Sequence, residues 1–515
     1  AREAAAKKAE AERKAREKAL AEQKAKEAAI ARQKQLVENY ISNGKQLLSE
    51  NKNKEAVVEF YNAEKNLPEE ENAFAAKKLG EAATALFDSS EKKSGTEKKF
   101  LRDEAVKFAE KSFENSKEEP NVMFILGMDA LEKHNYASAE NFLRNATKKD
   151  PANSTYFYQL GRVLAMQKKY NESLAAFQTS IKINGNFAPA HYNSGFVCEK
   201  LGKNKEALAS YRNATKIKPD YENAFMGAGH VLAEEKNYSE AVKSYSEAVR
   251  INPSRAQTYQ ELGSCYSELK NYILAEQNFL KALSCPDSTA EKNALTYYNL
   301  STVMFAQDKK NDAFDFAKKA YDNKDKTTSD VKTNISYNLG LLNQELGNET
   351  EAIKFYQETL KLDSNHVKAN TNLGMILLSK NEPDAAIALL LKAYKNDSKN
   401  FEVNNNLGSA YRDIDDFANS VKFYKNALGI EPENLTVKEN LAKSYTSAKD
   451  YKNARAVYEE LVKKQQTEWP LFFELAKVCL AQGDGNSAEK YLLYLQSKAP
   501  DFKSSEVNGL LAELQ

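Results

Sequence analysis

The sequence predicts an all-α solenoid of stacked helix-turn-helix repeats, with an extended helix before it and a short capping helix after it. Three observations carry this. A phrase returns at regular intervals: YNLS at Tyr298–Ser301, YNLG at Tyr337–Gly340, TNLG at Thr371–Gly374, NNLG at Asn405–Gly408 and ENLA at Glu439–Ala442. The last four copies are 34 residues apart and the first lies 39 before the second. Such a period belongs to arrays in which each unit packs only on its neighbours. Within each period, apolar residues at i, i+3, i+4 and i+7 form two stretches joined by a polar turn, the pattern of two amphipathic helices. Two columns of small residues also persist through the periods, as close helix packing requires.

Bulk composition narrows the function. The 515 residues include 74 Lys and Arg against 73 Asp and Glu, so no protein-wide attraction to nucleic acid or an anionic membrane is expected. No apolar run approaches the roughly 20 residues needed to span a bilayer, and no direct membrane insertion is expected of this chain. It starts at Ala1 without Met, which leaves open a removed targeting or anchoring segment. The expected chain is soluble, with cytoplasm, periplasm and attachment through such a segment as alternatives. Cys198, Cys265, Cys285 and Cys479 show no CxxC and no regular spacing, so buried free thiols are expected rather than a disulfide framework or zinc knot.

Residues 1–36 are mainly Ala, Lys, Glu, Arg and Gln, without Gly or Pro. Ala favours helix, and Glu3–Lys7, Glu10–Lys14, Glu12–Arg16 and Glu22–Lys26 are acid-before-base pairs at i,i+4. Large apolar residues are almost absent before Ile30, so no proper coiled-coil seam can be written. This predicts a solvated helix or stalk of up to about 54 Å at 1.5 Å per residue. An Ala-based coiled coil and a stalk from a membrane anchor are alternatives.

The period begins at Val37 and is clearest in Pro120–Asn153. There Met123 and Leu126 precede Gly127 and Ala130; after the turn at His134–Tyr136 come Ala139, Leu143, Ala146 and Pro151. Gly127 and Ala139 are small where the helices must meet, and Pro151 cannot continue a helix. This resembles the tetratricopeptide repeat (TPR), with Leu, Gly, Ala, an aromatic, Ala and Pro at positions 7, 8, 20, 24, 27 and 32. The frame gives thirteen units over 37–502: 37–70, 73–119, 120–153, 154–187, 188–221, 222–255, 256–289, 294–327, 333–366, 367–400, 401–434, 435–468 and 469–502. Position 20 is Ala in eleven units, otherwise Ser173 and Ser420; position 8 is Gly in ten, otherwise Ser301, Ala442 and Ala476. The resemblance implies a right-handed superhelix.

Three departures carry further expectations. Asp88–Phe100 (DSSEKKSGTEKKF), between the helices of the second unit, reads as a mobile polar loop. Residues Ala290–Asn293 and Thr328–Lys332 fall between units and should lengthen the following helices and bend the superhelix. Residues 503–515, with Val507, Leu510, Leu511 and Leu514 apolar, should cap the last hydrophobic face.

Candidate chemistry is sparse. The four His residues lie outside any HExxH or Cys/His cluster, so no metal site is expected. Gly227 and Gly229 lack a third Gly and lie in a helix, and Gly483 and Gly485 lie in a turn. No GxxxxGK[ST] or GxSxG occurs. Neither catalysis nor a cofactor is expected. The 24 Phe and 27 Tyr fall mostly at packing positions 4, 11 and 24.

One polar column is left over. Position 6 is Asn in Asn193, Asn299, Asn338, Asn372, Asn406 and Asn440, the last five in consecutive units. A carboxamide has an acceptor oxygen and two donor hydrogens, so it can bond a peptide C=O and N–H together. In TPR arrays the first helix lines the concave face, and the column resembles the asparagine ladder of O-linked N-acetylglucosamine transferases, which holds extended protein segments. The resemblance implies peptide-binding roles for these Asn residues, with Tyr298, Tyr337 and Asn405 at position 5 beside them. The alternative is that each Asn bonds the neighbouring repeat. The two-carboxylate clamp of chaperone-binding TPRs is not expected, because position 5 of these units carries no Lys. The expected function is a non-catalytic scaffold that binds a protein or peptide in the concave groove. A structural module of a cell-envelope or motility complex, a substrate-recruiting subunit of an enzyme, and self-association stay open.

Overall fold

The structure, a computed structural model, describes residues 1–514; Gln515, the last residue of the expected cap, lies outside the described residues, as do the side chains of residues 290–292. Along it run 27 α-helices and one 3-10 turn, Lys324–Lys326, with no strand among the described residues. They divide between two compact units, Ala1–Pro253 and the residues from Ser254 onward.

The first unit opens on one helix, Arg2–Ser49, of 48 residues. Residues 1–29 are exposed throughout, as the charge pattern predicts. Val37, Ile41, Gly44 and Leu48 are buried, a stripe at helical spacing that faces Phe60 of the helix Asn53–Lys65. Nothing breaks the helix at residue 36, so the stalk and the first helix of the array are one element. Lys34 ties them to the next pair by bonding Glu71 at 2.9 Å.

The expected loop at Asp88–Phe100 is corrected. Helix Asn72–Ser90 continues through Asp88, helix Gly95–Asn115 starts before Phe100, and residues 91–94 alone make the turn. These helices have 19 and 21 residues, against 13 or 14 in most others of this unit. The polar composition hid an amphipathic continuation. Ser89 and Ser90 are buried, and the Ser90 hydroxyl donates to the Phe87 carbonyl at 2.6 Å. Leu101 is buried, and the Arg102 guanidinium lies 4.0 Å from the Phe87 ring centre while pairing with Glu91 and Glu132.

In the second unit, helices Ala290–Ala306 and Ser329–Glu345 have 17 residues each, so the extra residues before them do join the helix. The unit closes on helix Ser504–Glu513, whose Val507 and Leu511 are buried in one cluster with Phe472, Leu475 and Leu492. Leu510 and Leu514 pack half-buried against it.

Within each unit the helices pair in chain order, and the two small-residue columns explain how. A Cβ added to Gly161, Gly195, Gly229, Gly263, Gly340 or Gly408 would fall 2.7–2.8 Å from an atom of the aromatic ring at position 24 of the same pair. That is well inside van der Waals contact, so the first helix comes this close only without a side chain. Ser301 stands at position 8 of a pair whose position 24 is Ala317 rather than an aromatic residue. Ser173 and Ser420 replace Ala at position 20, and each hydroxyl donates 2.7 Å to the carbonyl of the facing glycine, Gly161 or Gly408.

The turn inside twelve of the pairs shares one backbone device. Position 15 has φ between +57° and +78°, as at Lys168, Lys270, Asp415 and Gly347. At His134 the amide bonds the Leu131 carbonyl at 3.0 Å and the Asn135 amide bonds Ala130 at 2.8 Å. These are the paired bonds of a Schellman stop, which satisfies the last carbonyls of the first helix. Only Gly202, Gly347 and Gly483 of the twelve are glycine.

Candidate functional site

The asparagine column divides into two kinds of rung. Asn338 is 6% exposed and its Nδ2 donates to the Ser301 hydroxyl of the preceding pair at 2.6 Å. Asn372 Nδ2 donates to the Tyr337 hydroxyl of the preceding pair at 3.4 Å and to the Tyr356 hydroxyl at 3.1 Å. In the first unit Asn193 repeats the arrangement, donating to the Tyr158 hydroxyl at 3.3 Å and the Pro189 carbonyl at 2.9 Å. Both amide hydrogens of Asn193 and Asn372 are thereby used. Each retains only its acceptor oxygen, so the two-way grip expected from the sequence is not available at these rungs. Asn440 is engaged from the other side, its Oδ1 accepting from Arg412 at 3.2 Å.

Asn299, Asn405 and Asn406 are different. All three are half-buried, and among the described residues their side chains form no hydrogen bond. They stand on helices Ala290–Ala306 and Phe401–Asp413, at the ends of a stretch whose middle rungs are tied to the stack.

Tyr298 and Tyr337 are also half-buried. The Tyr337 ring packs 4.9 Å from His366 and 5.9 Å from Tyr356. Burial pushes both phenols up from their usual value, opposed at Tyr337 by the hydrogen bond from Asn372. Both are neutral near pH 7, offering a ring and a hydroxyl.

A second set of carboxamides was not singled out from the sequence. Asn370 and Asn404, at position 4, are fully buried. Asn370 Nδ2 donates to the carbonyls of Ser364 and His366 at 3.1 and 3.0 Å; Asn404 donates to Ser398 and Asn400 at 3.0 and 2.8 Å. His191, at the same position, bonds the Gly185 carbonyl at 3.0 Å. These residues clamp the loop that enters each first helix. Their 34-residue spacing was visible, but adjacency to the position-6 column concealed it.

All four cysteines are free and buried. Burial raises every one of their thiols, that of Cys265 to about 12. Among the described residues no cluster of His, Cys, Asp and Glu is placed to hold a metal ion, and no helix is long and apolar enough to cross a membrane.

Comparison with known proteins agrees with the helix pairs. Families described as tetratricopeptide repeat match residues 223–255, 256–284, 337–401, 401–434 and 445–514, and one described as TPR repeat matches 198–235. The family described as anaphase-promoting complex, cyclosome, subunit 3 matches residues 98–180. The chain carries tetratricopeptide repeats. No curated protein matches it. Among solved structures it is similar to YrrB, described as a TPR protein with an unusual peptide-binding site. Identity there is 22% over 34% of this chain and 90% of that one, with a TM-score of 0.32. It is similar to MamA at 20% identity, covering 33% and 92%, TM-score 0.32. It is also similar to pilF of Pseudomonas aeruginosa at 17% identity, covering 43% and 97%, TM-score 0.40.

Proposed function

We propose that the chain is a non-catalytic protein-binding scaffold of thirteen repeats that holds an extended peptide along the first helices of the eighth to twelfth units. The observation that carries this reading is the set of unpaired, half-exposed carboxamides at Asn299, Asn405 and Asn406. A core has no use for them, whereas a peptide backbone offers both the donor and the acceptor they lack. The acceptor oxygen of Asn372 and the rings of Tyr298 and Tyr337 extend the surface. Asn338 and Asn440 align the rungs by holding successive helices together.

Selection of extended peptides from a displayed random library against the intact chain tests this. The expected winners bind Asn299→Ala/Asn405→Ala/Asn406→Ala at least tenfold more weakly, since each lost hydrogen bond is worth about 0.5–1.5 kcal/mol. Undiminished binding of every selected peptide to the triple variant contradicts the proposal.

A further inference from the structure

The first compact unit carries a groove of about 630 Å³ between helices Gly95–Asn115 and Tyr136–Lys149, beside the end of helix Pro120–Glu132. Buried Leu126 and Ala130 line it, and the half-buried rings of Phe113 and Phe142 meet edge to face in it at 5.5 Å. Its charged lining is acidic. Four carboxylates, Asp103, Glu110, Glu114 and Asp129, stand around two ammoniums, Lys117 and Lys133. Lys133 donates to Asp129 at 2.8 Å; that bond, opposed by burial and helped by the charges of Asp129, Glu110 and Asp103, raises its pKa. Lys117 lies 5.6 Å from the Phe113 ring centre. Lys107 and Lys111, on the same helix, are held by Glu104 at 2.6 Å and Glu64 at 2.5 Å. Four carboxylates against two ammoniums leave two negative charges over, and neither Glu110 nor Glu114 has an ion pair among the described residues.

A segment of the opposite character is exposed on the same chain. Residues 1–29 carry nine Lys and Arg against six Glu, with one large apolar side chain, Leu20, which is 52% exposed. Arg16 and Lys24 stand one helical turn to either side of Leu20, on its face of the helix. Neither has an ion pair among the described residues. The other two residues a turn away are engaged, Glu17 with Arg13 at 3.7 Å and Gln23 with Glu27 at 2.9 Å. Within its own chain the segment does not fill the groove. Arg2–Ser49 is one continuous helix, and residues 1–29 are exposed throughout.

We propose that this groove receives the N-terminal helix of a second copy of the chain, with Leu20 against Phe113 and Phe142 and with Arg16 and Lys24 facing the rim carboxylates, Glu110 and Glu114 among them. Charge complementarity selects this occupant: a segment with three positive charges in excess meets a groove with two negative charges in excess. Burial of Leu20 on the two rings supplies the attraction, and the opposite charges set partner and orientation. Exposed ion pairs add little and are screened, so the association is weak and falls with added salt.

Sedimentation velocity of the intact chain over a concentration series at low salt tests the proposal. The average mass should rise with concentration. Leu20→Asp should weaken association about tenfold, the effect of losing one buried apolar side chain. Arg16→Glu/Lys24→Glu and Glu110→Lys/Glu114→Lys should each weaken it as well, and the chain carrying all four reversals should regain it. A chain that is monomeric at every concentration overturns the proposal, as does association that these variants leave unchanged or that the four reversals together fail to restore. Capture of a labelled peptide alternating Lys with Leu by a chain that stays monomeric gives the groove to a foreign partner and also overturns it. Circular dichroism verifies folding; if the groove variant is unfolded, the two variants on the exposed segment decide.

Discussion

A single methyl group decides how closely two helices of a repeat can pack. At Gly340 an added Cβ would sit 2.7 Å from the Tyr356 ring, which is itself fully buried and cannot swing aside. Gly340→Ala should therefore destabilise the second unit by about 1–3 kcal/mol, the usual cost of overpacking. Urea unfolding followed by circular dichroism reads this as a lower midpoint. The left-handed turn residues predict the opposite sign. Lys270 is exposed with φ +58°, a conformation costing a side chain about 1–2 kcal/mol, while glycine gives back about 0.5–1 kcal/mol in chain entropy. Lys270→Gly should stabilise the unit by a few tenths to about 1 kcal/mol, read as a higher urea midpoint.

Between elements, paired charges add a pH dependence that no single helix would show. Glu140, on helix Tyr136–Lys149, accepts hydrogen bonds from Arg144 on its own helix and from Gln167 and Lys169 in the following pair. Burial opposes its ionisation, but those bonds, with the charge of Arg144, outweigh it and hold the carboxyl at about 2. An unfolded Glu titrates near 4.3. A folded value below the unfolded one contributes stability that is fully present above about pH 4.3 and is lost as the pH falls toward 2. The Tm of the chain should fall across that window, and Glu140→Gln should make the fall shallower. An unaltered acid profile in the variant would show that the contact between pairs is energetically silent.

At the scale of the whole molecule, what the sequence revealed and what it hid follow from the range of the interactions. The helix pairs were legible because Gly340 and Tyr356 or Gly408 and Tyr424 meet within one period, so packing writes itself into spacing. The extended N-terminal helix was legible from a composition rich in Ala and free of Gly and Pro. The hairpin around residues 91–94 was not: Ser89, Ser90 and Arg102 look like loop residues until Phe87 and Glu132 are placed beside them. Nor did the turns announce a left-handed residue, because Lys168, Lys270 and Asp415 fill a place where Gly is expected. The asparagine column was visible as a repeat, but its division was not. Whether a carboxamide is free depends on what the preceding pair presents, a serine hydroxyl to Asn338, a tyrosine hydroxyl to Asn372 and Asn193, and an arginine to Asn440.

A pair of triple variants separates the tied rungs from the free ones. Asn193→Ala/Asn338→Ala/Asn372→Ala removes rungs tied to their neighbours; Asn299→Ala/Asn405→Ala/Asn406→Ala removes free ones. Thermal melting and affinity for a library-selected peptide are measured on both. Crossed effects are expected. The first set should lower Tm, since each removed carboxamide leaves hydroxyl groups without a donor at a cost of about 1–3 kcal/mol where the site is buried. The second should abolish peptide capture with Tm little changed. Equal loss of Tm in both, or capture retained by the second and lost only in the first, would contradict it.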